Sequence, residues 1–202
     1  MSRIAVDVAL LPDEAMTEWA IQINRKLIAQ YAAKIILSRN NRLPHISLAM
    51  GGVDESDVES IGRTLDRLAR EIPVRQLNAL GIAVVANAKG EHVSLLTIER
   101  TEALQSLHEA IMGETAPLFS HDVTEAMIFD ERVADTTLAW IRDYPKKSAF
   151  DRFSPHITLG YGKAEAEGPF PMPFTVSQLV LCRMGNHCTC RQPLVRVALS
   201  GQ

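Results

Sequence analysis

The sequence predicts an α+β fold, a single two-lobed domain spanning residues 1–202. Three observations carry that expectation. Helical patterns stand between pairs of strand patterns rather than alternating strictly with single strands, which argues against a parallel βαβ sheet. No low-complexity tract or linker divides the chain. The string Pro-His-Ile-(Ser/Thr)-Leu is written twice, beginning at Pro44 and at Pro155, once in each half.

Each element has a local reason. RIAVDVALLP alternates well enough for a strand and stops at Pro12. DEAMTEWAIQINRKLIAQY reads as a helix with acids in its first turn and Arg25 and Lys26 later, as the helix dipole favours. KIILSRNN leads into the first repeated string, whose strand is expected to end at Gly51-Gly52. In DESDVESIGRTLDRLAREIP, Val58, Ile61, Leu65 and Leu68 form one helical stripe, with Pro73 just beyond. ALGIAVVANAKGEHVSLLTIE reads as strand, turn and returning strand. Thr101 caps a third helix whose apolar face holds Ala103, Leu104, Leu107 and Ile111, leaving His108 outside the stripe and exposed. Patterning weakens from Gly113 to Phe153, where only ADTTLAWIRDYP reads as a short helix. After the second string comes a Pro-rich connector, then a terminal hairpin turning at Gly185-Asn186.

Composition excludes several function classes. With a net charge of −3 and a pI near 6.1, the chain is no broad nucleic-acid footprint, although a few local cations suit a small anionic ligand. The N-terminal stretch lacks a secretory signal, and no apolar run reaches the ~20 residues of a membrane span, so a cytoplasmic protein is expected. In that compartment Cys182, Cys188 and Cys190 are expected to stay out of disulfides. Cys188 and Cys190 stand too close in sequence for the usual zinc-ligand spacing, and no second ligand pair follows. Neither metal nor cofactor is expected.

The repeated string carries the chemistry. In a strand, residues i and i+2 share a face. His45 and Ser47 therefore point one way and Ile46 and Leu48 the other; His156 and Thr158 repeat the pattern against Ile157 and Leu159. The prolines suit a first strand residue and hold the preceding backbone extended. Imidazole exchanges a proton near neutrality. One neutral histidine takes a proton from a nucleophile while a protonated one gives a proton to a leaving oxygen, each worth about 10²–10⁴-fold. The hydroxyls of Ser47 and Thr158 donate to phosphoryl oxygens, so two such units facing across a groove grip one phosphate.

A third H-x-(S/T) string, His92-Val93-Ser94, lacks the proline and the glycine and is read as structural. Arg42, three residues before His45, and Arg152, four before His156, are candidate phosphate-steering residues. Arg39, Lys146 and Lys147 read as solvated loop charges. Tyr161 is a candidate for stacking a base. By strict alternation it lies on the face opposite Thr158, unless a bend at Gly160 re-aims it.

The pair PHISL and PHITL resembles the 2H phosphoesterase superfamily, named for two H-x-(S/T)-hydrophobic motifs. Within it the chain looks like the RNA 2',3'-cyclic phosphodiesterase and 2'-5' RNA ligase-like branch, with similar element order over nearly its whole length. The resemblance implies a bilobal fold, with two pseudo-symmetric antiparallel sheets lining a central groove and helices outside. It implies a metal-independent phosphoric diester hydrolase that opens 2',3'-cyclic phosphates on nucleotides or RNA ends. His45 and His156 are then catalytic, and Ser47 and Thr158 bind the phosphate. A 2'-5' ligation on the same site and a non-catalytic nucleotide-binding module are the alternatives. The long 113–153 interval departs from compact relatives and is expected to form a lid or groove wall. No protein partner is implied.

Overall fold

Asp7 stands in the middle of the first apolar run and is fully buried; the fold explains how. The structure is a computed structural model that describes residues 2–87, 89–129 and 132–199. Strand β1 (Arg3–Pro12) is buried from Ile4 onward because it lies between two neighbours, β2 (Ile46–Asp54) and β6 (Met172–Gly185). Helix α1 (Glu14–Gln30) follows at once, its first turn capped by the Asp13 side chain, which accepts from the Met16 N–H at 2.9 Å.

Helix α2 (Val58–Glu71) buries Ile61, Leu65 and Leu68 of the stripe read from the sequence, while Val58 at its start is half-buried. β3 (Gln76–Ala86) and β4 (His92–Ile98) form the expected hairpin, and Thr101 caps α3 (Glu102–Thr115) through the Leu104 N–H. Helix α4 (Asp135–Lys147) occupies the weakly patterned interval. β5 (His156–Tyr161) carries the second motif, and β6 and β7 (Thr189–Ala198) close the chain as a hairpin.

Three expectations are corrected. The strands do not form two separate sheets but one seven-stranded antiparallel sheet in the order β1-β2-β5-β4-β3-β6-β7, with a further β1–β6 pairing. The cause is the length of β6: Met172–Thr175 pairs with β3, and Val176–Arg183 pairs with β1, so one strand belongs to both halves. The first-motif strand runs through Gly51 and Gly52 to Asp54. There the backbone of Ser120 exchanges hydrogen bonds with Gly52 at 2.7 and 2.9 Å. A Cβ on Gly51 would meet the Ser120 carbonyl at 3.0 Å, so the glycines serve this close approach rather than a strand end.

The third correction concerns the cysteines. Cys182 and Cys190 form a disulfide across the β6–β7 hairpin, and Cys188 is free. Sequence spacing carried no ladder register; the fold sets the two Cα atoms 5.6 Å apart, within the range a disulfide spans.

Asn24 on α1 binds distant segments together. Its amide donates to the carbonyls of Ile35 (3.0 Å) and Leu159 (2.7 Å), and its oxygen accepts from the Leu37 N–H (2.9 Å), all without access to water. Asn24→Ala leaves these backbone groups unpaired, at about 1–3 kcal/mol for each group left buried. We expect a loss of at least about 3 kcal/mol on that basis, read from the urea midpoint of unfolding.

Candidate active site

β2 and β5 meet antiparallel at Ile46 and Ile157, both fully buried. That register sets His45 opposite Thr158 and Ser47 opposite His156, and alternation turns all four to the other face. The two motifs are therefore neighbours in one sheet, side by side rather than confronting each other from separate sheets.

Both rings are fixed in the same way. His45 Nδ1 lies 2.7 Å from the Leu43 carbonyl, and His156 Nδ1 lies 2.8 Å from the Ser154 carbonyl, two residues earlier in each case. A carbonyl only accepts, so each Nδ1 carries a proton and donates it. The intervening proline, with its fixed φ, keeps that carbonyl in place. In both rings Nε2 is the nitrogen left for chemistry.

The rings then differ. Asp7 Oδ2 accepts from the Ser47 hydroxyl at 2.6 Å and stands 3.3 Å from His45 Nε2. Burial by itself would lower the His45 pKa; the Asp7 hydrogen bond and charge, with the Leu43 and Cys188 carbonyls, outweigh it and hold the ring above its ordinary value. Burial lowers the His156 pKa below its ordinary value; the Ser154 carbonyl opposes this only in part, and the His45 charge adds to the lowering. Burial raises the Asp7 carboxyl above the usual carboxylate range, against the pull of His45 and Ser47.

The two hydroxyls also differ. Ser47 has committed its proton to Asp7. The half-buried Thr158 hydroxyl is engaged by none of the described residues.

Tyr161 is re-aimed, as a bend at Gly160 allows. Gly160 has φ +142°, and the β4–β5 register slips between Ser94 and Leu95, so the strict alternation past Thr158 is broken. The Tyr161 hydroxyl lies 3.1 Å from His187 Nδ1. His187 and Cys188 both adopt left-handed backbone, at φ +58° and +54°, in the turn between β6 and β7. The Cys188 carbonyl faces the His45 ring. Lys34 stands over the Tyr161 ring at 4.8 Å.

The arginines are less directly placed. Arg152 is exposed and bonds the Lys146 carbonyl at the end of α4. Arg42 is half-buried in a turn at φ +54°, where its carbonyl accepts from the Ser38 N–H. His92 is exposed at the start of β4, while Ser94 is buried and bonds the Gly162 carbonyl and the Ala164 N–H.

Two residues near the site escaped the sequence reading. Asp7 had a signal: a lone carboxylate inside an apolar strand pattern is either exposed or paired. His108 is a correction, since it is fully buried rather than exposed. Its Nδ1 donates to the Leu48 carbonyl at 2.7 Å, its Nε2 accepts from the Phe150 N–H at 2.8 Å, and its ring stacks on Phe153. Tyr144, on α4, donates its hydroxyl to the same Leu48 carbonyl at 3.1 Å. Among the described residues no His, Cys, Asp or Glu group is arranged to hold a metal, and no helix is long and apolar enough to cross a membrane.

A seven-stranded antiparallel α+β fold with two H-x-(S/T) motifs on adjoining strands defines the class. The family profile of the 2'-5' RNA ligase superfamily matches residues 20–187, and the chain belongs to that superfamily. It is similar in fold to Escherichia coli LigT complexed with phosphate, at 17% identity and TM-score 0.57, with all of both chains covered. A protein of Thermus thermophilus is similar at 18% identity and TM-score 0.60, over 98% of this chain and all of that one. Escherichia coli LigT complexed with 3'-AMP is similar at 16% identity and TM-score 0.51, over 97% of this chain and 98% of that one. Among curated proteins, none matches the chain.

Proposed function

We propose that the protein hydrolyses 2',3'-cyclic phosphates of nucleotides or RNA ends by acid–base catalysis between His45 and His156. The observation that carries this reading is the pair of imidazoles on adjoining strands, each clamped at Nδ1 by a carbonyl so that Nε2 is left for the substrate. One ring takes the proton of water as its oxygen attacks phosphorus; the other protonates the ribose oxygen as its bond to phosphorus breaks. The protein supplies both acid and base, so the step needs no metal. Thr158 donates its hydroxyl to a phosphoryl oxygen, and Ser47 joins it only by releasing Asp7. Tyr161 and His187 flank the same face. Arg42 and Arg152 add long-range attraction for the anion, screened by salt.

The phosphate and the 3'-AMP named for the LigT structures are the kinds of ligand this reading requires. The family profile's own description supports a second reaction on the same groups, with a ribose hydroxyl replacing water as nucleophile, which gives 2'-5' ligation.

The purified protein, held in excess chelator, is expected to convert nucleoside 2',3'-cyclic monophosphates and a short RNA with a cyclic phosphate end to monoesters. Phosphorus NMR follows the change and identifies the product isomer. Persistence of every cyclic substrate would remove the hydrolase reading and leave a phosphate-binding site. Activity that vanishes only with chelator would refute the metal-free mechanism.

A further inference from the structure

We infer that Asp7 is a positioning residue that divides the labour of the two histidines: its carboxylate makes His45 the general acid and leaves His156 the general base. The inference rests on the two-histidine reading and deepens it. It starts from a difference between the motifs that their near-identical sequences do not contain. Each ring spends its Nδ1–H on a carbonyl two residues earlier. Among the described residues, only His45 has a carboxylate at its other nitrogen, with Asp7 Oδ2 3.3 Å from Nε2.

An ionised carboxylate only accepts hydrogen bonds. A ring that already donates from Nδ1 faces such an oxygen favourably only when Nε2 also carries a proton, which is the imidazolium. Among the described residues none is such a partner at His156 Nε2, so with its proton on Nδ1 the ring presents a lone pair there. Ser47 has a part in this device. Its hydroxyl holds Oδ2 at 2.6 Å and so fixes the oxygen that His45 faces.

The groups around His45 come from several elements. Asp7 reaches it from β1, the Cys188 carbonyl from the β6–β7 turn, and the His156 charge from β5. Tyr144 on α4 and the Cys188 thiol feel the Asp7 charge, and burial keeps both protonated. Asp7 is thus the carboxylate of this group, and among the described residues its Oδ1 has no hydrogen-bond partner.

The separation of 3.3 Å matters. A fully formed charge-assisted bond measures about 2.7–2.9 Å. The His45 Nε2–H is held but not consumed, and it can turn to a ribose oxygen. In the step that follows, the water oxygen bonds to phosphorus and its proton passes to His156 Nε2. The phosphorus bond to one ribose oxygen breaks, and that oxygen takes the proton from His45 Nε2. Water is added overall, and proton exchange with solvent returns both rings to their starting states. The ribose oxygen nearer His45 is the one released.

Ring nitrogen NMR of histidine-labelled protein, titrated with pH, tests this without requiring turnover. In the wild type His45 is expected to titrate above His156. Asp7→Asn keeps an acceptor for Ser47 but removes the charge. It is expected to lower the His45 midpoint by at least about one unit, a tenfold change in its imidazolium fraction, with a smaller change at His156. In kinetics, the alkaline limb of the kcat/KM profile should move down with His45, and kcat should fall more than KM changes. A His45 midpoint that ignores Asp7→Asn, or a wild-type His156 that titrates at or above His45, overturns the inference. The wild-type comparison can overturn the inference even if Asp7→Asn fails to fold. An inactive wild type with His45 above His156 would instead count against the hydrolase reading alone.

Discussion

His45→Ala and His156→Ala are each expected to lower kcat for a nucleoside 2',3'-cyclic phosphate by about 10²–10⁴-fold, the contribution of one positioned acid or base. His92→Ala should leave kcat within a factor of about two, since an exposed residue outside the site is normally neutral. Acid and base act in one step, so the double variant should lose less than the product of the two single losses. His45 and His156 are half-buried and face away from Ile46 and Ile157, which sit in the core. Alanine at either position therefore deletes chemistry before it deletes packing. Steady-state kinetics beside circular dichroism separates the two effects. Full activity in either single variant would end the two-histidine mechanism.

The second large effect is expected in stability, at His108. Its ring bonds the first-motif strand at Leu48 and the Phe150 N–H, and lies on Phe153 at 4.0 Å between centroids. Phe153 stands two residues before Pro155, so this one side chain holds the approaches to both motifs. His108→Leu preserves bulk but leaves the Phe150 N–H without its acceptor and removes the bond to the Leu48 carbonyl. We expect a loss of about 2–4 kcal/mol, from unmade buried hydrogen bonds and altered packing, read by urea unfolding at pH 7.5.

The same residue carries a pH signature. Burial lowers the His108 pKa below its ordinary 6.5, only partly offset by the Leu48 carbonyl and Glu109, so the folded protein keeps the ring neutral where the unfolded chain protonates it. Its stabilising contribution is whole above pH 6.5 and declines as pH falls from there to the folded-state value. His156 and His121, also lowered by burial, act in the same direction, while His45 acts in the opposite one. The wild-type stability should therefore fall more steeply below pH 6.5 than that of His108→Leu. Parallel pH dependences in the two proteins would show that His108 is not held neutral.

His108 also shows why part of the site was illegible. It stands four residues after Leu104 and three before Ile111, inside the buried stripe. Its polarity removed it from a stripe counted only in apolar letters. The missing information was the acceptor at Leu48 and the donor at Phe150, both supplied by segments distant in sequence. Asp7 is the same problem in a strand: its environment comes from β2 and the β6–β7 turn, and no pattern within RIAVDVALLP specifies them. Tyr161 depended on a bulge opposite Ser94 and Leu95, a property of the β4–β5 pair rather than of either strand.

By itself the sequence determined the elements and the chemistry-bearing residues. Hydrophobic period, caps and turn residues act over a few neighbours, so α1 to α4 and the hairpins could be read in place. The duplicated Pro-His-Ile-(Ser/Thr)-Leu likewise fixed which side chains leave the core face, because alternation is a local rule. Tertiary structure alone decided how those pieces met. It joined two expected sheets through β6, bonded Cys182 to Cys190, and gave Asp7 to His45 but not to His156. These outcomes depend on strand register and on contacts between residues far apart in the chain. They are set by which buried surfaces and polar groups satisfy one another, and no local pattern records that choice.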